Sequence, residues 1–138
     1  GTKDMLRNEE GIFVFDVSRK GGWPWYENNA QNCFNLKLEK GTKDRGYIEA
    51  LEQTLIPKLE EFKPDIIGIS AGFDTNKRDA ADYLQDVEHP EDVIYFELTK
   101  KSFKRIKEIV GDYPHFAILE GGYNPDSVKE GIDVFRKD

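Results

Sequence analysis

The sequence predicts an α/β fold, a three-layer α/β/α arrangement on a mostly parallel sheet, and three observations carry that expectation. Short apolar runs at 12–15, 66–69 and 115–119 have the length and β-forming composition of strands. Between and after them, apolar residues recur at helical spacing, and strands alternating with helices imply right-handed crossovers and a sheet covered on both faces. Polar residues follow each run, and Asp16, Asp74 and residues 120–124 would gather beyond the carboxyl ends of the strands, where such sheets bind ligands.

Taken in order, Gly11 precedes Ile12, Phe13, Val14 and Phe15, a buried strand ending near Asp16. The segment 18–33 holds Gly21, Gly22, Pro24, Asn28, Asn29 and Asn32, the composition of a long loop, and loops of that length tend to be functional. Trp23, Trp25 and Tyr26 within it either line a substrate channel or pack over the sheet edge. Phe34, Leu36 and Leu38 alternate with polar residues and make a short strand. Tyr47, Leu51, Leu55, Leu59 and Phe62, widened by Ile48 and Ile56, mark an amphipathic helix over 45–62 that Pro57 should kink or shorten and Pro64 should close. Ile66, Ile67, Gly68 and Ile69 read as a strand buried on both faces. Residues 74–97 are polar, crowded by Asp79, Asp82, Asp86, Glu88, Glu91 and Asp92, and read as a loop or lid. Thr99 caps a helix with Phe103, Ile106, Ile109 and Val110 on its apolar side and Gly111 as its stop. Residues 115–119 form a third buried strand, and Asn124-Pro125 starts a last helix with Val128, Ile132 and Phe135 on one face.

Composition limits what the chain can be. Its 138 residues, 38% of them hydrophobic, suit one compact domain over 1–138 and leave no room for a second. No stretch approaches the roughly 20 apolar residues of a membrane span, and the first ten residues are too polar for a signal peptide, so the expected address is the cytoplasm. A net charge of -7 argues against a nucleic-acid partner, and the basic run Lys100, Lys101, Lys104, Arg105 and Lys107 reads as a solvated helix face. Cys33 is the only cysteine, which excludes an intrachain disulfide and a thiolate zinc cage; beside Phe34 it reads as a small packed residue. His89 and His115 are the only histidines, so one chain cannot build a three-histidine metal site. His115, opening a strand, reads as structural, and His89, before a proline in the acidic segment, as exposed.

Residues 62–74, FKPDIIGISAGFD, and then 116–124, FAILEGGYN, resemble the histone deacetylase and acetylpolyamine amidohydrolase family. Trp23-Pro24, the segment from Asn35 to Leu38, Gly41, Asp44 and Tyr47 loosely follow the same pattern, so the resemblance spans nearly the whole chain. It implies an arginase/deacetylase-like fold and hydrolysis of an N-acetyl amide on a lysine or polyamine chain. It also implies that Asp74 is a zinc ligand and that Tyr123 donates a hydrogen bond to the developing oxyanion, with Gly121 and Gly122 allowing close approach and Phe73 bordering the substrate. The chemistry suits those residue types: a strand-end carboxylate offers a hard oxygen ligand, and a phenol near a metal stabilises charge that exists only in the transition state.

The family's Asp-x-His ligands and His-His base are absent, and Gly1-Thr2 resembles the end of the family's His-His-Gly-x-Gly-Thr motif. The expectation is therefore an incomplete domain, the C-terminal part of a deacetylase, inactive alone and with weak or absent zinc binding. Its partner would be its own N-terminal half, or a second copy met through an uncovered apolar sheet edge. Asp16 and Ser18 stand where the family has serine and histidine, residues 28–32 replace a glycine-rich stretch, Asn35-Leu36-Lys37-Leu38 lacks the family proline, and the acidic lid differs from the usual Gly-Asp-Pro-Leu segment. Asp16 is a candidate second carboxylate near the metal or a monovalent cation. The alternative is a non-catalytic deacetylase-like or partner-binding α/β domain; a flavodoxin-like domain is disfavoured because no phosphate-cradling glycine loop follows the first strand.

Overall fold

Every strand pairing in the computed structural model, which describes residues 1–22, 30–79 and 96–136, is parallel, so the α/β class holds. The described chain comprises two compact units, Gly1–Lys40 and Gly41–Asp138.

The first unit holds α1 (Thr2–Met5), β1 (Val14–Arg19) and β2 (Cys33–Leu38), with β1 and β2 paired from Val14↔Cys33 to Arg19↔Leu38. Phe15 and Phe34 stack across the ladder with centroids 5.3 Å apart. The strand expected at 12–15 in fact runs on through Asp16 and Ser18. Asp16 is tolerated there because its Oδ2 accepts a hydrogen bond from Lys3 Nζ at 3.0 Å, while the same ammonium donates to Asn35 Oδ1 at 2.8 Å. The positive group beside Asp16 among the described residues is the ammonium of Lys3. Asn32 Nδ2 donates to the carbonyl of Leu6 at 2.8 Å and its Oδ1 accepts from Asn8 N at 2.8 Å, tying the turn after α1 to the start of β2.

The second unit contains β3 (Thr42–Lys43), α2 (Asp44–Phe62), β4 (Ile67–Ala71), β5 (Phe96–Glu97), α3 (Lys100–Val110), β6 (His115–Leu119) and α4 (Pro125–Phe135). β3 pairs with β5, and β4 with β6 in the register Ile67↔His115 to Ala71↔Leu119. α2 continues through Pro57 and ends at Lys63, whose left-handed φ of 52° lets its N–H reach Leu59 O at 2.8 Å. α3 starts as expected, with Thr99 Oγ1 accepting from Lys101 N, and α4 starts with Asn124 Oδ1 accepting from Asp126 N and Ser127 N. All buried hydrophobic residues among those described lie in this unit: Tyr47, Leu51, Leu59, Ala71, Phe73, Phe96, Leu98, Phe103, Val110 and Val134.

Four expectations need correction. Phe96, at the end of the segment 74–97 read as a polar lid, is buried, as is Leu98 directly after it, because β5 closes onto β3 and Leu98 bridges to Asn76; residues 80–95 of that lid, with His89, lie outside the described residues, as do Trp23, Trp25 and Tyr26. α4 buries Ser127, Gly131 and Val134 and leaves Ile132 exposed, a face turned from the expected one because Gly131 accepts the Phe73 ring and Ser127 bonds a buried carboxylate. Finally, β4 and β6 are not buried on both faces. Phe116, Ile118 and Leu119 are about half exposed and Ile66 is exposed, since β6 has only β4 beside it among the described residues. His115, expected to be structural at a buried strand's start, is exposed, with Nδ1 2.9 Å from Tyr113 O.

Candidate functional site

The neighbouring strands β4 and β6 stay joined beyond their ends. Glu120 N donates to Ala71 O at 3.1 Å and Phe73 N to Gly121 O at 2.8 Å, so the segment bearing Asp74 lies against the segment leading to Tyr123. The Asp74 carboxylate sits over glycine. A Cβ on Gly121 would fall 2.8 Å from its Cγ and both oxygens, and one on Gly72 3.0 Å from Oδ1. Burial raises the Asp74 pKa, and the charges of Asp79 and Glu120 push the same way, against hydrogen bonds from its own N–H and that of Thr75.

The sequence candidates separate into two groups. Asp74, Gly121, Gly122 and Tyr123 come together beyond the carboxyl ends of β4 and β6. Tyr123 is 66% exposed, and its backbone N–H donates to Asp79 Oδ2 at 2.7 Å. Gly122 adopts φ +126°, and a Cβ there would meet Val128 Cγ2 at 2.8 Å, so both glycines make room for the chain's own side chains. Phe73 belongs elsewhere. At 2% exposure, edge-on to Phe103 at 5.3 Å and tilted against Phe135 at 6.3 Å, it is a core residue with no surface for a substrate, which corrects the role expected for it.

A zinc ion needs three or four protein ligands. Among the described residues no group of three His, Cys, Asp or Glu side chains is arranged to hold a metal. His115 stands at the amino end of β6 while Asp74 follows the carboxyl end of β4, so about four residues of strand, roughly 13 Å, separate their levels. Asp74 offers one carboxylate ligand, and among the described residues the set does not close.

Sequence reasoning missed the polar residues that brace this region. Asp79, 1% exposed, accepts from Tyr123 N, Asn124 N at 3.0 Å and Ser127 Oγ at 2.6 Å. Buried Asn76 donates to Glu130 Oε1 at 3.2 Å, and that oxygen also accepts from Lys100 N at 3.0 Å. Asp44 accepts from Thr99 N at 2.9 Å, Thr99 Oγ1 at 2.6 Å and Ser102 Oγ at 2.7 Å. No local pattern pairs residues 30 to 58 positions apart.

The sequence matches the histone deacetylase domain over residues 1–137. It is 30% identical to histone deacetylase 14, chloroplastic, of Arabidopsis thaliana, over 99% of this chain and 33% of that protein. It is 32% identical to a probable deacetylase of Archaeoglobus fulgidus, over 90% of this chain and 35% of that one. The chain therefore spans about a third of the length of these relatives. Among solved structures, the deacetylase domain of HDA15 aligns with a TM-score of 0.77 and 25% identity, over 98% of this chain and 39% of that chain. The acetylpolyamine aminohydrolase of Burkholderia pseudomallei aligns at 0.74 and 18% identity, over 98% and 40%, a likeness of fold.

Proposed function

This chain belongs to the histone deacetylase family, and on that premise we propose that it is the C-terminal part of a zinc-dependent deacetylase hydrolysing N-acetyl amides of lysine or polyamine type. One observation carries the reading: Asp74 and the Gly121-Gly122-Tyr123 turn meet beyond the carboxyl ends of two adjacent parallel strands. In this reading Asp74 contributes one metal ligand, and the Tyr123 phenol donates to the substrate oxygen as it gains charge. Zinc, when bound, supplies Lewis acidity. The Asp-x-His and His-His segments complete the site from outside this chain, which alone is inactive and binds zinc weakly or not at all. The chain has an apolar face at β6 to offer its N-terminal half or a second copy.

No helix among the described residues is long and apolar enough to cross a membrane, and the proposed address is the cytoplasm. Calorimetric zinc titration with an acetyl-lysine peptide assay, on the chain alone and joined to those two segments, tests the reading. Only the joined protein should turn over. Within it Asp74→Asn should abolish zinc binding, whereas Tyr123→Phe should keep zinc and lower kcat about 100- to 1000-fold, as for loss of one oxyanion donor. Zinc bound without turnover, or neither, in the joined protein would favour a non-catalytic deacetylase-like domain.

A further inference from the structure

Asp79 lies five residues after Asp74, is 1% exposed, and directs one carboxylate oxygen at the turn carrying Tyr123. Oδ2 accepts three donors: Tyr123 N at 2.7 Å, Asn124 N at 3.0 Å and the buried Ser127 Oγ at 2.6 Å. Oδ1 is buried with no hydrogen-bond partner among the described residues. Burying a carboxylate with one oxygen unserved is costly, so a function that uses the other oxygen is a reason to keep it there. The three donors are the residue before the cap of α4, the cap itself and the third residue of the helix. They lie at the helix end where the N–H groups lack partners within the helix and an anion is favoured.

We propose that Asp79 is the positioning residue that fixes the Tyr123 backbone relative to Asp74, a role that rests on the catalytic reading of those two residues. The span between them is short and tied at both ends. Asn76 N donates to Phe73 O at 3.0 Å and Asp79 N to Asn76 O at 3.0 Å, so residues 73–79 fold back on themselves. From the other side, Phe73 N holds Gly121 O, and Asp79 holds the N–H groups two and three residues later. The Asp74 segment and the Tyr123 turn are thereby clamped twice, at the first glycine and after the second. Gly122, with φ +126°, supplies a bend that few other residues adopt, and Asp79 fastens the two residues after that bend. Tyr123 itself is two-thirds exposed, and the clamp sets the position of its Cα.

Asp79→Asn keeps an acceptor oxygen for the three donors but removes the charge and puts an NH2 group where Oδ1 was buried without a partner. Amide hydrogen exchange in this chain reads the clamp directly. In Asp79→Asn the Tyr123 and Asn124 amides should exchange on the order of 10- to 100-fold faster, the loss of charge-assisted hydrogen bonds, while the α3 amides keep their rates. Unchanged exchange at Tyr123 and Asn124 would overturn the proposal. In the protein joined to the family's Asp-x-His and His-His segments, Asp79→Asn should lower kcat with KM and zinc affinity unchanged, and should add little once Tyr123→Phe is present. Losses that multiply across the double variant would assign Asp79 a general structural role and overturn it too. A Tyr123→Phe protein with full activity would instead sink the catalytic reading, with the exchange result still deciding whether Asp79 holds the turn.

Discussion

The same substitution at two helical glycines should have opposite effects on stability. Gly131 lies in α4 under the Phe73 ring, and a Cβ there would fall 2.1, 2.2 and 2.5 Å from Phe73 Cε1, Cδ1 and Cζ. The ring has little freedom to withdraw, because it is 2% exposed and held against Phe103 and Phe135. Overpacking of this kind costs about 1–3 kcal/mol, and three contacts this short put the cost at about 3. Alanine in place of glycine inside a helix returns about 1 kcal/mol. Gly131→Ala should therefore lose about 2 kcal/mol, lowering Tm by about 8 °C in a chain of this size. Gly46, the third residue of α2, has only Thr42 Cγ2 near its Cβ position, at 3.6 Å, an ordinary contact. Gly46→Ala should gain about 0.5–1 kcal/mol. Far-UV circular dichroism melts at one protein concentration compare the two with the parent. A Gly131→Ala protein as stable as the parent would refute the packing argument, and a destabilised Gly46→Ala would refute the propensity argument.

The same geometry sets three further outcomes. Asp44→Ala strips the acceptor from Thr99 and Ser102 and should cost about 2–4 kcal/mol in urea unfolding. Burial alone would raise the Asp44 pKa, but the Thr99 and Ser102 hydrogen bonds win and lower it, so its stabilisation holds above the ordinary carboxylate range and disappears as pH falls through the depressed folded value; a parent protein whose acid limb matches that of Asp44→Ala would contradict this. Asp74 titrates in the opposite sense. Its raised folded pKa means that stability declines as pH rises from the ordinary carboxylate value through the raised one, so metal-free Asp74→Asn should be the more stable protein at neutral pH, and equal urea midpoints there would count against the buried charge. The half-exposed Phe116 and Ile118 make the β6 face adhesive, so sedimentation should detect concentration-dependent association that Ile118→Lys weakens, whereas a monomer at every concentration would argue against an uncovered face.

Local chemistry made much of the fold legible. Thr99 and Asn124 are caps because a hydroxyl and an amide oxygen can take helix N–H groups, and both do so. The stripe Tyr47, Leu51 and Leu59 is buried as its spacing requires, and Pro57 neither ends nor shortens α2 because tertiary packing of that stripe outweighs one lost N–H. What failed depends on distant partners. Asp16 looked like a strand end and is mid-strand because Lys3 neutralises it. Phe96 looked like part of a polar lid and is core because Tyr47, 49 residues earlier in the chain, packs its ring edge-on at 5.8 Å. β6 reads as a buried strand from its apolar run, yet burial needs neighbours on both edges and cover on both faces, and no residue within the strand specifies whether those are present.

The site divides along the same line. Asp74 and Tyr123 stand out because each follows an apolar strand, and parallel neighbours necessarily bring their carboxyl ends together. Gly121 stands out for permitting close approach, although the group that approaches is the carboxylate of Asp74. Phe73 shares the same motif but packs into the core against Phe103 and Phe135. Motif membership therefore suggests a role that its burial denies. Asp79 is the converse case: one acid among many in sequence, it becomes distinctive only when the α4 cap arrives from 44 or more positions away. The groups proposed to do chemistry are thus marked by their place at strand ends, while the group proposed to align them is visible only in the folded chain.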